Sequence, residues 1–104
     1  MLLEVIGDTV ENRIIDFLIE GIKLDYTKKE IADNCDISRP TLYKVFPKLI
    51  KEGVAKPTKK IGRIQLYSLN TENDKVKALL KLDGFLIKKS FEEVEQKQKV
   101  AVKA

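Results

Sequence analysis

Two helix-start signals stand eleven positions apart in the middle of this chain, at Thr27 and Ser38. That spacing leaves room for a short helix, a tight turn and the start of another helix. Thr27-Lys28-Lys29-Glu30 has the pattern of a capping box, in which the threonine hydroxyl and the glutamate each satisfy an orphan amide of the first turn. Ile31 and Cys35 then share one helical face, with Ala32 beside them. Asp36 is a turn residue, since aspartate tolerates the left-handed conformation better than most. Ser38 caps the next helix, with Arg39 and Pro40 in its first turn, where the missing proline N–H does no harm. This helix is expected to run to about Glu52 and to stop at Gly53. A helix-turn-helix needs a small residue where its helices cross, a permissive turn residue and an apolar inner face. Ala32, Asp36 and the set Ile37, Leu42, Val45, Leu49 and Ile50 supply them.

The flanks complete the architecture. Asp8-Thr9-Val10-Glu11 reads as an earlier helix start, with Asp8 as cap and Glu11 reaching back. Val10, Ile14, Phe17, Leu18 and Ile22 follow at helical spacing as one buried stripe, and Gly21 suits the helix end. Lys23 to Tyr26 reads as a short extended linker. From Val54 the period changes to two. Val54–Lys56 reads as a strand, Pro57–Gly62 as a loop, and Arg63–Leu69 as a second strand. Ile64, Leu66 and Ser68 share one face of it; Arg63, Gln65, Tyr67 and Leu69 share the other. Asn70 to Asp74 is another helix-start cluster, and the apolar residues from Val76 to Val94 continue at helical spacing. Gln96–Ala104 lack a bulky apolar stripe and are expected to fray. The expected fold is mainly α with a small β-hairpin, a winged helix-turn-helix over residues 1–70 and a C-terminal helix over 71–104.

Composition removes most catalytic readings. Histidine is absent, and Cys35 is the single cysteine. The commonest general base, the commonest metal ligand and the Ser/His and Cys/His pairs are therefore missing. The carboxylates form no clustered set, so neither an enzyme nor a cofactor is expected. No apolar run is long enough to span a bilayer, and Met1-Leu2-Leu3-Glu4 lacks the basic start of a signal peptide, so a cytoplasmic protein is expected. The net charge of +4 is unevenly spread. Residues 1–25 carry two basic and six acidic side chains, whereas residues 26–63 carry ten basic and four acidic ones. The helix-turn-helix and hairpin are thus cationic, as phosphate contact requires.

Three stretches resemble archaeal winged-helix transcription regulators of the MarR/ArsR-like kind: Thr27–Pro47 (TKKEIADNCDISRPTLYKVFP), Leu49–Val54 (LIKEGV) and Lys60–Asn70 (KIGRIQLYSLN). The resemblance covers roughly residues 5–87. It implies a sequence-specific DNA-binding fold, often dimeric, that regulates transcription. Asp36 stands where such turns usually carry glycine, and Pro47 interrupts the recognition helix.

Read as a double-stranded DNA binder, the third helix presents Ser38, Arg39, Pro40, Thr41, Tyr43, Lys44 and Lys48 outward. Arg39 can clamp a guanine or hold a phosphate, and Thr41 can touch a thymine methyl. Tyr43 and Lys44 can reach a base or a phosphate. Lys28 and Lys29 are placed to grip the backbone at a helix N-terminus. Lys59, Lys60 and Arg63, around Gly62, can reach the minor groove or its phosphates. Pro47, mid-helix, either kinks the helix to follow the groove, makes a neutral bend, or ends the helix early. In the C-terminal helix Val76, Leu79, Leu80, Leu82, Phe85, Leu86, Ile87 and Phe91 do not fit one stripe. A helix apolar on much of its circumference is buried from more than one side, by its own domain and by a second subunit of a homodimer. The competing reading is a winged helix used for protein contact. RNA or single-strand binding would favour more exposed aromatics than Tyr43 alone.

Overall fold

A computed structural model describes the backbone of residues 2–103 and the side chains of residues 2–94. In chain order it has α1 (Leu2–Ile6), α2 (Val10–Glu20), α3 (Lys28–Cys35), α4 (Arg39–Lys51), β1 (Ala55–Ile61), β2 (Ile64–Leu69) and α5 (Asp74–Lys103). The two strands form an antiparallel hairpin. The expected fold class holds, with α1 as an addition that the apolar spacing did not signal. Residues 96–103, expected to fray, continue α5 as helix.

Both helices of the central motif end by the same device. Asp36 adopts the left-handed conformation, with φ 54° and ψ 48°. Behind it the Ile37 amide donates to the Ala32 carbonyl (3.1 Å) and the Asp36 amide to the Asp33 carbonyl (3.4 Å). That is a Schellman closure, which satisfies two orphan carbonyls at once. It recurs at the end of α4, where Gly53 (φ 74°) takes the left-handed position. There the Val54 amide donates to Leu49 (3.0 Å) and the Gly53 amide to Ile50 (3.0 Å). The expected stop at Gly53 is met. The helix starts also hold: the Thr27/Glu30 box is closed on both sides, and Ser38 caps α4.

Three expectations about the helices need correction. The cap of α2 is Thr9, whose hydroxyl accepts from the Asn12 amide (3.1 Å), because Asp8 is drawn to Arg13 instead (2.6 Å). The buried stripe of α2 is Ile14, Ile15, Leu18 and Ile19, while Ile22 is exposed. α2 touches α1, α3, α4 and β2, so it buries a broader face than a helix packed on one side. In α4 the fully buried residues are Leu42, Phe46 and Leu49; Val45 and Ile50 are half-buried at their flank. Phe46 is the largest of the fully buried side chains, and covering its ring contributes on the order of 2–3 kcal/mol.

The hairpin is longer than the alternation suggested. Residues 57–61 continue β1 instead of forming a loop, and the turn is the pair Gly62-Arg63 between Ile61 and Ile64. Gly62 has φ 63° and Arg63 does not share its positive φ, the pattern of a II′ hairpin turn. Pro57 is tolerated in β1 because it lies opposite Tyr67, whose backbone groups point to the other edge. There they bond Tyr26 in both directions (2.7 and 2.8 Å), so the supposed linker supplies a third, one-residue strand. Between Pro57 and Lys60 the register slips by one residue, and Gln65 Nε2 donates across the bulge to the Lys59 carbonyl (3.2 Å).

α5 is joined to this body at its start. The Asn73 side chain accepts from the Val76 amide (3.1 Å) and donates to the Glu52 carbonyl (3.0 Å), so one residue caps α5 and fastens it to the end of α4. Asn70 likewise donates to the Gly53 carbonyl (2.9 Å).

Candidate nucleic-acid interface

α4 turns Leu42, Phe46 and Leu49 inward at i, i+4 and i+7, so the opposite face is left to solvent by geometry alone. On it lie Arg39, Pro40, Tyr43, Lys44, Pro47 and Lys48, all exposed. Ser38 and Thr41 are less free. Their hydroxyls share a hydrogen bond of 2.8 Å, and Ser38 Oγ also accepts from the Thr41 amide. Thr41 is half-buried, with its hydroxyl already engaged. Lys48 is tied to Glu11 of α2, its Nζ 3.3 Å from the carboxylate. Among the described residues, Arg39, Tyr43 and Lys44 are therefore the polar side chains of this face held by no hydrogen bond or ion pair.

α4 is helical without a break from Arg39 to Lys51, so Pro47 does not end it early. The carbonyl of Tyr43, four residues back, receives no helical N–H from the proline.

The wing brings a second set of cations to the same region. Lys59, Lys60 and Arg63 are exposed around the turn, and Ile61 and Ile64 flank it, also exposed. Between the wing and the start of α3 lies an open cleft of about 390 Å³, lined by Thr27, Lys28, Lys29, Ile64, Gln65 and Tyr67. Lys29 is exposed at its rim. Lys28, expected beside it as a backbone grip, is half-buried and turned onto aromatic rings. Its Nζ lies 5.3 Å from the centre of Tyr43, 5.7 Å from Tyr67 and 6.0 Å from Phe46. Neither Tyr67 nor Phe46 is among the site residues expected from sequence. The signal for Phe46 was present in the Leu42, Phe46, Leu49 spacing; that for Tyr67 required knowing how the wing folds back.

The other candidates separate cleanly. Cys35 is buried, its Sγ 3.6 Å from the Arg13 carbonyl, and burial pushes its thiol up to about 11. It stays a thiol near neutral pH and serves as a small core residue beside Ile31 and Ala32. Of the α5 residues expected to divide between their own domain and a second subunit, Val76 is 0% exposed and belongs to the core of its own chain. Leu79, Leu80, Leu82 and Leu86 are half-buried against that core. Phe85, Ile87, Phe91 and Val94 are exposed, Phe91 at 67%. No described helix is long and apolar enough to cross a membrane.

No protein-family model matches the sequence, and no curated protein matches it. Solved structures do. A point mutant of MepR from Staphylococcus aureus, bound to an oligodeoxyribonucleotide, superposes with a TM-score of 0.64 at 16% identity, over 98% of this chain and 80% of that one. NadR in complex with 4-hydroxyphenylacetate gives 0.63 at 24% identity, over 97% and 72%. ZitR of Lactococcus lactis in complex with DNA gives 0.56 at 19% identity, over 88% and 67%. The chain thus spans between about two-thirds and four-fifths of these proteins. At such identities the likeness speaks for architecture, and it agrees with the geometry above: this chain is a winged helix-turn-helix carried on a long C-terminal helix.

Proposed function

We propose that the chain is a sequence-specific double-stranded DNA-binding transcription regulator acting in the cytoplasm. In this reading α4 enters the major groove, with Arg39, Tyr43 and Lys44 at base edges or phosphates, and wing residues 57–63 rest on the backbone or the minor groove. The observation that carries it is that the start of α3 adjoins both other cationic elements. Lys28 stands against Tyr43 of α4 and Tyr67 of β2 and shares a cleft with Ile64 beside the wing turn, while Lys29, Arg39, Lys44, Lys59, Lys60 and Arg63 on these elements are exposed. The DNA-bound MepR and ZitR structures, which share the architecture, support it. Nothing in this role calls for a catalytic centre. A homodimer fits the same reading, because Ile87, Phe91 and Val94 leave an exposed apolar strip along one face of α5, with Phe85 exposed on another, and two copies would present two reading helices to a two-fold operator.

Selection of bound duplexes from a random pool, followed by mobility shift at several salt concentrations, tests the proposal. The expected result is a defined site, with affinity falling steeply as salt rises. Absence of binding even at low salt would overturn it and favour the protein-contact reading.

A further inference from the structure

Of the two cations at the α3 start, Lys29 is exposed and Lys28 is half-buried against rings. Its stem is half-buried, and its ammonium stands within about 6 Å of three ring centres, the range in which a ring face attracts a cation. None of the salt bridges among the described residues involves it. The three rings differ in freedom. Phe46 is fully buried and meets Tyr67 edge-on, centroids 4.9 Å apart and planes at 82°. Tyr67 is held by its backbone bonds to Tyr26. Tyr43, 53% exposed on the outer face of α4, is the ring with room to move. One ammonium therefore joins a fixed pair of rings, from the core and the wing, to a movable one on the exposed face.

We propose that Lys28 is a positioning residue and not a phosphate contact: it holds the Tyr43 ring against the wing and thereby sets which bases α4 accepts at the step Tyr43 meets. This rests on the reading of α4 as the helix that enters the groove. A lysine serving as a phosphate grip must extend outward, and Lys28 would have to leave all three rings to do so. Lys29, one position on and exposed, has no such tie.

The two roles give opposite signatures in the full-length chain. If Lys28 grips a phosphate, Lys28→Met lowers the slope of log affinity against log salt by about 1 and weakens all duplexes alike. If it positions Tyr43, the same substitution leaves the slope unchanged. It then weakens the selected duplex at least fivefold while random duplex is little affected, and it flattens the preference at one or two steps. Lys28→Arg, which keeps the cation, is expected to restore preference. Lys29→Met serves as the control that does change the slope. Circular dichroism melting of each variant establishes that it is folded. In a Tyr43→Ala background, Lys28→Met is expected to have no further effect on preference, because the ring it positions is gone. With wild-type binding in hand, a reduced slope with unaltered preference overturns this inference alone. Absence of wild-type binding to any duplex overturns the functional reading and this inference together, so the two failures are told apart.

Discussion

Asp16 illustrates how a single carboxylate records its surroundings. It lies partly buried on α2, and burial first, with Asp83 of α5 second, raises its pKa above the ordinary carboxylate range. In the folded chain its ionised form is therefore less favoured than in the unfolded one. Ionisation costs stability above the raised value, and the cost disappears below pH 3.8, where the unfolded carboxyl also holds its proton. Asp16→Asn is expected to raise the melting temperature at pH 7, with the gain vanishing at pH 3. A gain that persists at pH 3 would point to packing instead of charge. Residue-scale outcomes of this kind were only partly legible in the sequence. Thr9 and Asp8 are both competent caps, and the choice turned on Arg13, which engages Asp8 from the next turn. Lys28 and Lys29 read alike as letters, yet one faces rings and the other water. The rings of Tyr43, Phe46 and Tyr67, brought together by α4 and the wing, separate them.

Elements bounded by local chemistry were the legible ones. Thr27, Asp36, Ser38 and Gly53 each act on amides or carbonyls within five residues, so their roles follow from short sequence windows. The second half of β1 was not legible, because every residue from Lys56 to Ile61 is exposed and no alternation of burial marks it. Pro57 and Gly62 looked like the two ends of a loop. One of them is a strand residue whose missing N–H falls on a position without a ladder bond. Pro47 is the element-scale question in α4. It removes one helical hydrogen bond from a continuous helix and lies on the exposed face, away from Leu42, Phe46 and Leu49. Pro47→Ala is expected to stabilise the chain, by at most about 3 kcal/mol, and to leave the selected DNA site unchanged. Thermal melting measures the first effect and duplex selection the second. A changed site would make the bend part of recognition.

At the scale of the molecule, the C-terminal helix sets the shape. Thirty residues of α5 span about 45 Å, well beyond a body whose shorter extents are 27 and 25 Å. Its first turns pack on their own chain through Val76, Leu79 and Leu80, and the later ones carry Phe85, Ile87, Phe91 and Val94 into solvent. The sequence announced an apolar surplus on this helix, but the division between own core and outer strip required knowing where the body ends. The double variant Ile87→Glu, Phe91→Glu is expected to sediment as a monomer and to bind a two-half-site duplex at least tenfold more weakly, with a single half-site little affected. A wild-type chain that is already monomeric at micromolar concentration would remove the dimer from the reading. Most other packing joins neighbours in the chain: α1 to α2, α2 to α3, α3 to α4, β1 to β2. Longer spans join α2 to α4, α2 to β2 and α1 to α5, the last closing a loop around nearly everything else. Such closure carries an entropic cost that local pairs avoid, which places it late in folding and early in opening. The helix-turn-helix and its wing are thus expected to behave as a self-contained kinetic unit, with hydrogen exchange slower in α3 and α4 than in α1.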